Sequence, residues 1–289
     1  AGTAITTGDS NVAVGYTALD ATTTASNNTA VGFAALTINV TGAQNTAVGG
    51  YALYNNEASD NTGLGYNALF TNTTGTNNTA VGKDALVANT TGDTNTALGY
   101  LALDANTTAS NNTAVGASAL TANTTGTQNV ALGAEAMDAN TTGNTNAALG
   151  IGALGSNTTA SNNTAVGAFA LLANTTGANN TALGSLSLDA NTTASNSTAI
   201  GYQALTANTT GANNTSVGHQ SLQDNTTGAN NVAMGQAALA ANTTASNNTA
   251  LGYAALSANT TGTRNTQVGE GAGDSITTGA DNTGIGRKA

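Results

Sequence analysis

NTGLGYNALFTNTTGTN occupies residues 61–77, and NTAVGKDALVANTTGDT follows at 78–94. Aligned on their apolar-Gly pairs, the two share Asn, Thr, Gly, Ala and Leu at the same offsets. The same pattern runs the length of the chain. The pair glycines, among them Gly15, Gly32, Gly49, Gly65, Gly82 and Gly99, recur every 17 residues through Gly286. One step, Gly49 to Gly65, is 16 residues, and the missing residue falls in YNNEASD at 54–60. Residues 1–289 therefore read as a single array of about seventeen tandem repeats, N-T-A-V-G-Y-x-A-L-x-A-N-T-T-G-x-N, here numbered as positions 1 to 17 with Asn61 at position 1.

A fixed period of this length identifies one supersecondary unit per repeat. Glycine at position 5 and N-T-T-G at positions 12–15 leave no room for a three-turn helix, because glycine costs about 1 kcal/mol in a helix interior. Short strands fit better. T-A-V-G is expected as one strand with its valine buried, and x-A-L-x as a second. Position 5 marks a bend or a close backbone approach (Gly15, Gly32, Gly65, Gly82, Gly99). N-T-T-G supplies the corner. Position 15 is alanine in Ala25, Ala109, Ala160, Ala194 and Ala245. That corner therefore does not require positive φ, whereas the invariant position 5 requires positive φ or the absence of a side chain.

The fold class that follows is all-β: a parallel β-solenoid or β-roll with one coil per repeat. Like residues then stack about 4.8 Å apart, and seventeen coils make a rod on the order of 80 Å long. Stacking turns identical positions into columns. Val14, Val31, Leu64, Val81 and Leu98 at position 4, with Leu19, Leu36, Leu69, Leu86 and Leu103 at position 9, are the expected apolar core columns. Asn72, Asn89, Asn106 and Asn123 at position 12 form a polar ladder, as do the asparagines at position 1, with Thr73 and Thr90 in an adjoining hydroxyl row. Two buried aliphatics contribute roughly 3–6 kcal/mol per repeat. Ordering each residue costs about 1–2 kcal/mol in backbone entropy. So thin a core predicts self-association: a homotrimer with valine and leucine turned toward a shared axis, or an end-to-end filament.

N-T-A-V-G-Y-x-A-L and N-T-A-L-G resemble the N-S-V-A-I-G repeats in the head domains of trimeric autotransporter adhesins. Those repeats are usually shorter and form a left-handed parallel β-roll wound from three chains. The form with N-T-T-G-x-N between its V-G elements is also similar to repeat regions of phage tail fibres and large bacterial surface proteins. The likeness covers nearly the whole chain. It implies a fibre or adhesin at an extracellular, cell-surface or virion-surface location. Residues 1–15, AGTAITTGDSNVAVG, echo residues 272–286, AGDSITTGADNTGIG. Neither end carries the polar cap of a free solenoid, so continuation is expected, in a longer chain or a filament.

Composition narrows the function classes. The net charge is −10, and the four basic residues are Lys83, Arg264, Arg287 and Lys288. No basic stripe tracks phosphates, which argues against nucleic acid. No apolar run spans a bilayer, so this segment is not expected to insert in a membrane. Cysteine is absent and histidine is single, His219, which leaves no metal set. No cofactor is expected. Asp20, Asp104, Asp138 and Asp189 share one position at least two coils apart, too far for a paired acid and base, and read as solvated charge. The chain is therefore read as a non-enzymatic structural fibre or adhesin-type shaft. Two alternatives remain open. One is an ice-binding solenoid using its threonine rows. The other is a carbohydrate or cell-surface binding module using the tyrosines of position 6, a row broken by Lys83, Ala117 and Ala134. The sequons of the Asn72-Thr73-Thr74 type read as turn chemistry with an asparagine ladder.

Overall fold

The computed structural model describes residues 1–289 and is all β, without helices. The chain divides into two compact units, Ala1–Thr145 and Asn146–Ala289. The first carries β1 (Val12–Val14) through β8 (Val130–Leu132), and the second β9 (Ala147–Leu149) through β17 (Thr283–Ile285). Every strand has three residues and pairs in parallel with its counterpart one repeat away. In the first unit Thr62, Gly63 and Leu64 face Thr79, Ala80 and Val81. In the second, Thr181, Ala182 and Leu183 face Thr198, Ala199 and Ile200. Each unit is thus a parallel β-solenoid with one coil per repeat. The 16-residue repeat keeps this register, since Thr46 pairs with Thr62. The missing residue is absorbed at the corner, where Glu57 N–H donates to Thr73 O at 3.1 Å.

Each coil holds one strand, not two. The x-A-L-x segment is a pair of tight turns. Ala68 N–H reaches Gly65 O at 3.4 Å and Asn72 N–H reaches Leu69 O at 3.3 Å. Positions 7 and 9 are left-handed, with φ of 57° at Asn67 and 54° at Leu69, and the pattern recurs along both units. A left-handed residue with a side chain costs roughly 1–2 kcal/mol. Two gains offset this at position 9. Leu69 N–H donates to Ala85 O in the next coil at 3.1 Å. Its side chain is fully buried, a contribution of about 1.5–3 kcal/mol. Position 17, also left-handed, is mostly asparagine, which tolerates that conformation.

The core is thinner than expected, and position 4 lies outside it. The side chains at positions 3, 8 and 9, such as Ala80, Ala85 and Leu86, have no exposure. Position 4 points outward. Val14 is 56% exposed, Leu98 46% exposed, and Val31, Leu64 and Val81 are half-buried. The cause is strand parity. Asn61 and Asn78 at position 1 are fully buried, and successive strand residues alternate between faces. Positions 1 and 3 therefore share the inner face, and positions 2 and 4 share the outer one. A buried position-1 asparagine and a buried position-4 valine exclude each other. The leucine column at position 9 (Leu19, Leu36, Leu69, Leu86, Leu103) is buried as expected, but inside its own coil stack and not toward sister chains.

Two asparagine ladders replace the missing aliphatic column. At position 12, Asn89 Nδ2 donates to Asn72 Oδ1 at 2.8 Å, Asn106 to Asn89 at 2.8 Å and Asn123 to Asn106 at 3.1 Å. At position 1, Asn61 Oδ1 accepts from Asn78 N–H at 3.0 Å. Both ladders converge on the position-15 carbonyl, since Gly75 O accepts from Asn61 at 2.8 Å and from Asn72 at 2.9 Å. An unpaired buried amide costs about 1–3 kcal/mol, so each coil must offer the next a polar partner; where Ser197 replaces asparagine at position 1, its Oγ accepts from Asn214 N–H at 3.3 Å instead. Asn106→Leu keeps the branched shape and removes the donor to both Asn89 Oδ1 and Ala109 O. It is expected to cost about 3 kcal/mol in urea unfolding, with accelerated amide exchange in the adjoining coils.

Position 5 meets both demands read from the sequence. Gly99 has φ 141°, and a Cβ there would stand 2.4 Å from Gly116 O. Position 15 behaves differently. Its glycines lie outside the positive-φ region, as the native alanines imply. The alanines, with Ala58 of the 16-residue repeat in the same place, nevertheless stand two or three coils apart and never in neighbouring coils. A Cβ on Gly92 would meet Ala109 O at 2.2 Å, and one on Gly177 would meet Ala194 O at 2.2 Å. The serine after each such alanine accompanies it. Ser110 Oγ accepts from Asp93 N–H at 2.9 Å, and Ser195 Oγ from Ala178 N–H at 3.0 Å.

Candidate functional site

With leucine, alanine and the ladder asparagines turned inward, the surface of each coil is written by the remaining positions, with 14 and 17 the most consistently exposed. The strand face presents threonine at position 2 and an aliphatic at position 4. In the first unit Val48, Leu98 and Leu132 are exposed on it, and in the second Leu183 and Leu251. Within each unit the position-4 residues stand in parallel register. They form an aliphatic column flanked by hydroxyls, and the fold itself leaves that column uncovered.

The threonine row at position 13 is committed to the ladder. Thr73 Oγ1 donates to Thr90 O at 3.0 Å, Thr90 to Thr107 O at 3.0 Å, and Thr175 to Thr192 O at 3.0 Å. These hydroxyls sit at the corner, as the turn reading requires, and their protons point along the stack.

The position-10 acids are not fully solvated. Asp20, Asp104, Asp138 and Asp189 are all half-buried. Burial pushes the Asp104 carboxyl up, and its Oδ1 has no hydrogen-bond partner. Burial also raises Asp138, with a further contribution from the Glu135 charge. A carboxyl whose folded pKa is raised weakens the fold as pH climbs through the ordinary carboxylate range. Below that range both folded and unfolded states are protonated and the penalty is absent. Asp104→Asn is therefore expected to raise the urea midpoint at pH 7 and to leave it nearly unchanged at pH 3. Asp84 behaves oppositely. Partial burial pushes it up, but hydrogen bonds from Lys83 and Asn67 outweigh burial, and it titrates below its ordinary value.

The aromatic residues are not spread evenly. Six of the ten lie in residues 16–70. Tyr16 stacks on Phe33 with centroids 5.6 Å apart, and Phe33 meets Tyr51 edge-on at 5.2 Å. Tyr51 also touches Tyr66 at 5.9 Å, and Tyr54 stacks on Phe70 at 5.3 Å. Position 6 alone is a broken row, but rings from positions 7 and 10 close the gaps. Further along, His219 is a surface residue stacked on Tyr202 at 5.7 Å. No group of three or more His, Cys, Asp or Glu side chains is placed to hold a metal ion.

No protein-family model matches the chain, and no curated protein matches it either.

Proposed function

We propose that the chain is a non-enzymatic structural module of an extracellular or surface fibre, of the shaft or adhesin type, whose copies associate side by side. The observation that carries this reading is the uncovered aliphatic column at position 4. Apolar side chains repeated in register along a sheet face form a contiguous patch, and such patches mark interaction surfaces. A trimer sharing an axis through this column suits three equivalent sheet faces. The wall behind the column is stiff. In the coil 78–94, backbone N–H groups of Thr79, Leu86, Ala88, Thr90 and Thr91 bond the following coil, and those of Gly82, Asp84 and Thr94 bond the preceding one. Each such bond contributes about 0.5–1.5 kcal/mol net. None depends on side-chain identity, so the outer positions are free to vary.

An ice-binding role for the N-T-T-G threonines is the weaker reading, because their position-13 hydroxyls already donate to carbonyls. Electron micrographs of the purified chain test the proposal. Particles containing several copies in lateral contact are expected. Uniform particles of single-copy size at micromolar concentration contradict it.

A further inference from the structure

Departures from the repeat concentrate in one place. Gly50 stands where position 6 elsewhere carries a side chain, and Tyr51 fills the next position. A Cβ on Gly50 would lie 3.4 Å from the Tyr66 ring, in van der Waals contact with it. Tyr54 and Phe70 bring rings to position 10, where no other coil carries an aromatic residue. The 16-residue repeat lies among them. In a chain whose copies are otherwise nearly interchangeable, these coupled changes have one common product: a contiguous cluster of rings across four successive coils, stacked at Tyr16–Phe33 and Tyr54–Phe70 and edge-on around Tyr51. The rings are not a core. Tyr16 is 72% exposed, and Phe33 and Tyr66 are each 49% exposed.

We propose that this patch, Tyr16, Phe33, Tyr51, Tyr54, Tyr66 and Phe70, is a binding platform for a linear, neutral, β-linked oligosaccharide. The chemistry follows from the surface. A pyranose ring has an apolar C–H face, which packs against exposed aromatic rings, and a hydroxyl edge, which needs polar groups beside them. The tyrosine hydroxyls supply such groups, as do the paired Asn67 and Asp84, 3.0 Å apart on the neighbouring coils. From coil to coil the ring centroids lie 5.6, 5.2 and 5.9 Å apart. That spacing is close to the length of one sugar unit in an extended β-linked chain, so successive sugars meet successive coils. A chain that curls, as α-1,4-linked glucose does, cannot keep this register. Polyanions are disfavoured, because Lys83 is the only basic residue in the first unit and the chain carries net charge −10.

This site goes beyond the assembly reading and does not depend on it, since every ring belongs to one chain. The test is titration of the full chain with cellohexaose and, separately, maltohexaose. Calorimetry and tyrosine emission serve as readouts, the latter undisturbed because the chain has no tryptophan. Saturable binding of cellohexaose in preference to maltohexaose is expected. Tyr16→Ala and Tyr66→Ala should each weaken it about three- to tenfold, while Tyr202→Ala leaves it unchanged. Both rings are surface-exposed, so a circular dichroism spectrum and urea midpoint like the wild type's keep the comparison valid. Absence of saturable cellohexaose binding overturns the proposal, as does equal binding of maltohexaose. So does a loss of solution mass in Tyr16→Ala or Tyr66→Ala, which would mark the rings as a contact between copies.

Discussion

Gly99→Ala is expected to be among the most damaging single substitutions in the first unit, costing about 3–5 kcal/mol. Two penalties coincide there. The backbone sits at φ 141°, and the new Cβ would lie 2.4 Å from Gly116 O and 2.6 Å from Gly116 C. Both contacts are with main chain held in the inter-coil ladder, so no side chain can move aside. Gly116 N–H is itself bonded to Leu98 O at 2.8 Å, which ties the clash to the strand. The substitution should lower the urea midpoint and raise amide exchange in the coils flanking residue 99. Because neighbouring coils share stability in a repeat array, distant coils should keep their protection. A midpoint within experimental error of the wild type would refute the close-approach account.

The second large effect distinguishes inside from outside. Leu103→Ala removes a fully buried side chain and is expected to cost about 2–5 kcal/mol. Leu98→Ala, five residues earlier and 46% exposed, should change the stability of a single chain by no more than about 0.5 kcal/mol. Thermal or urea unfolding of the two variants at low protein concentration settles the comparison. Equal losses would mean that position 4 is packed in the core after all.

Much of this fold is legible from residues 61–94 alone. The period gives one coil per repeat. The invariant Gly65 and Gly82 announce the close approach, and the alternation of Gly75-type and Ala109-type corners shows that position 15 keeps ordinary φ. The asparagine ladders follow from stacking identical amides. What misleads is Val81. An apolar residue in a short strand reads as core, yet Asn78, three residues before it, has the opposite parity and a stronger claim to the interior. An unpaired amide outside its ladder loses more than a half-exposed valine does, so the amide column decides which face is inner. The second strand fails for a related reason. Leucine has no local preference for left-handed backbone, and what holds it there, the bond from Leu69 N–H to Ala85 O and the burial of its side chain in the stack, is absent from any single repeat. The aromatic patch is hidden too, because Tyr51, Tyr54 and Phe70 occupy different repeat positions and meet only after the coils are stacked.

Turning Leu98 outward moves the driving force for association from the leucine columns to position 4 alone. The direct measurement is sedimentation equilibrium of the wild type beside Leu64→Thr/Val81→Thr/Leu98→Thr, which keeps β-compatible shapes and removes the aliphatic face over three coils. A wild-type mass that is a multiple of 27.8 kDa is expected, falling toward 27.8 kDa in the variant with an unchanged circular dichroism spectrum. A wild type that sediments at 27.8 kDa across the concentration range would contradict the account.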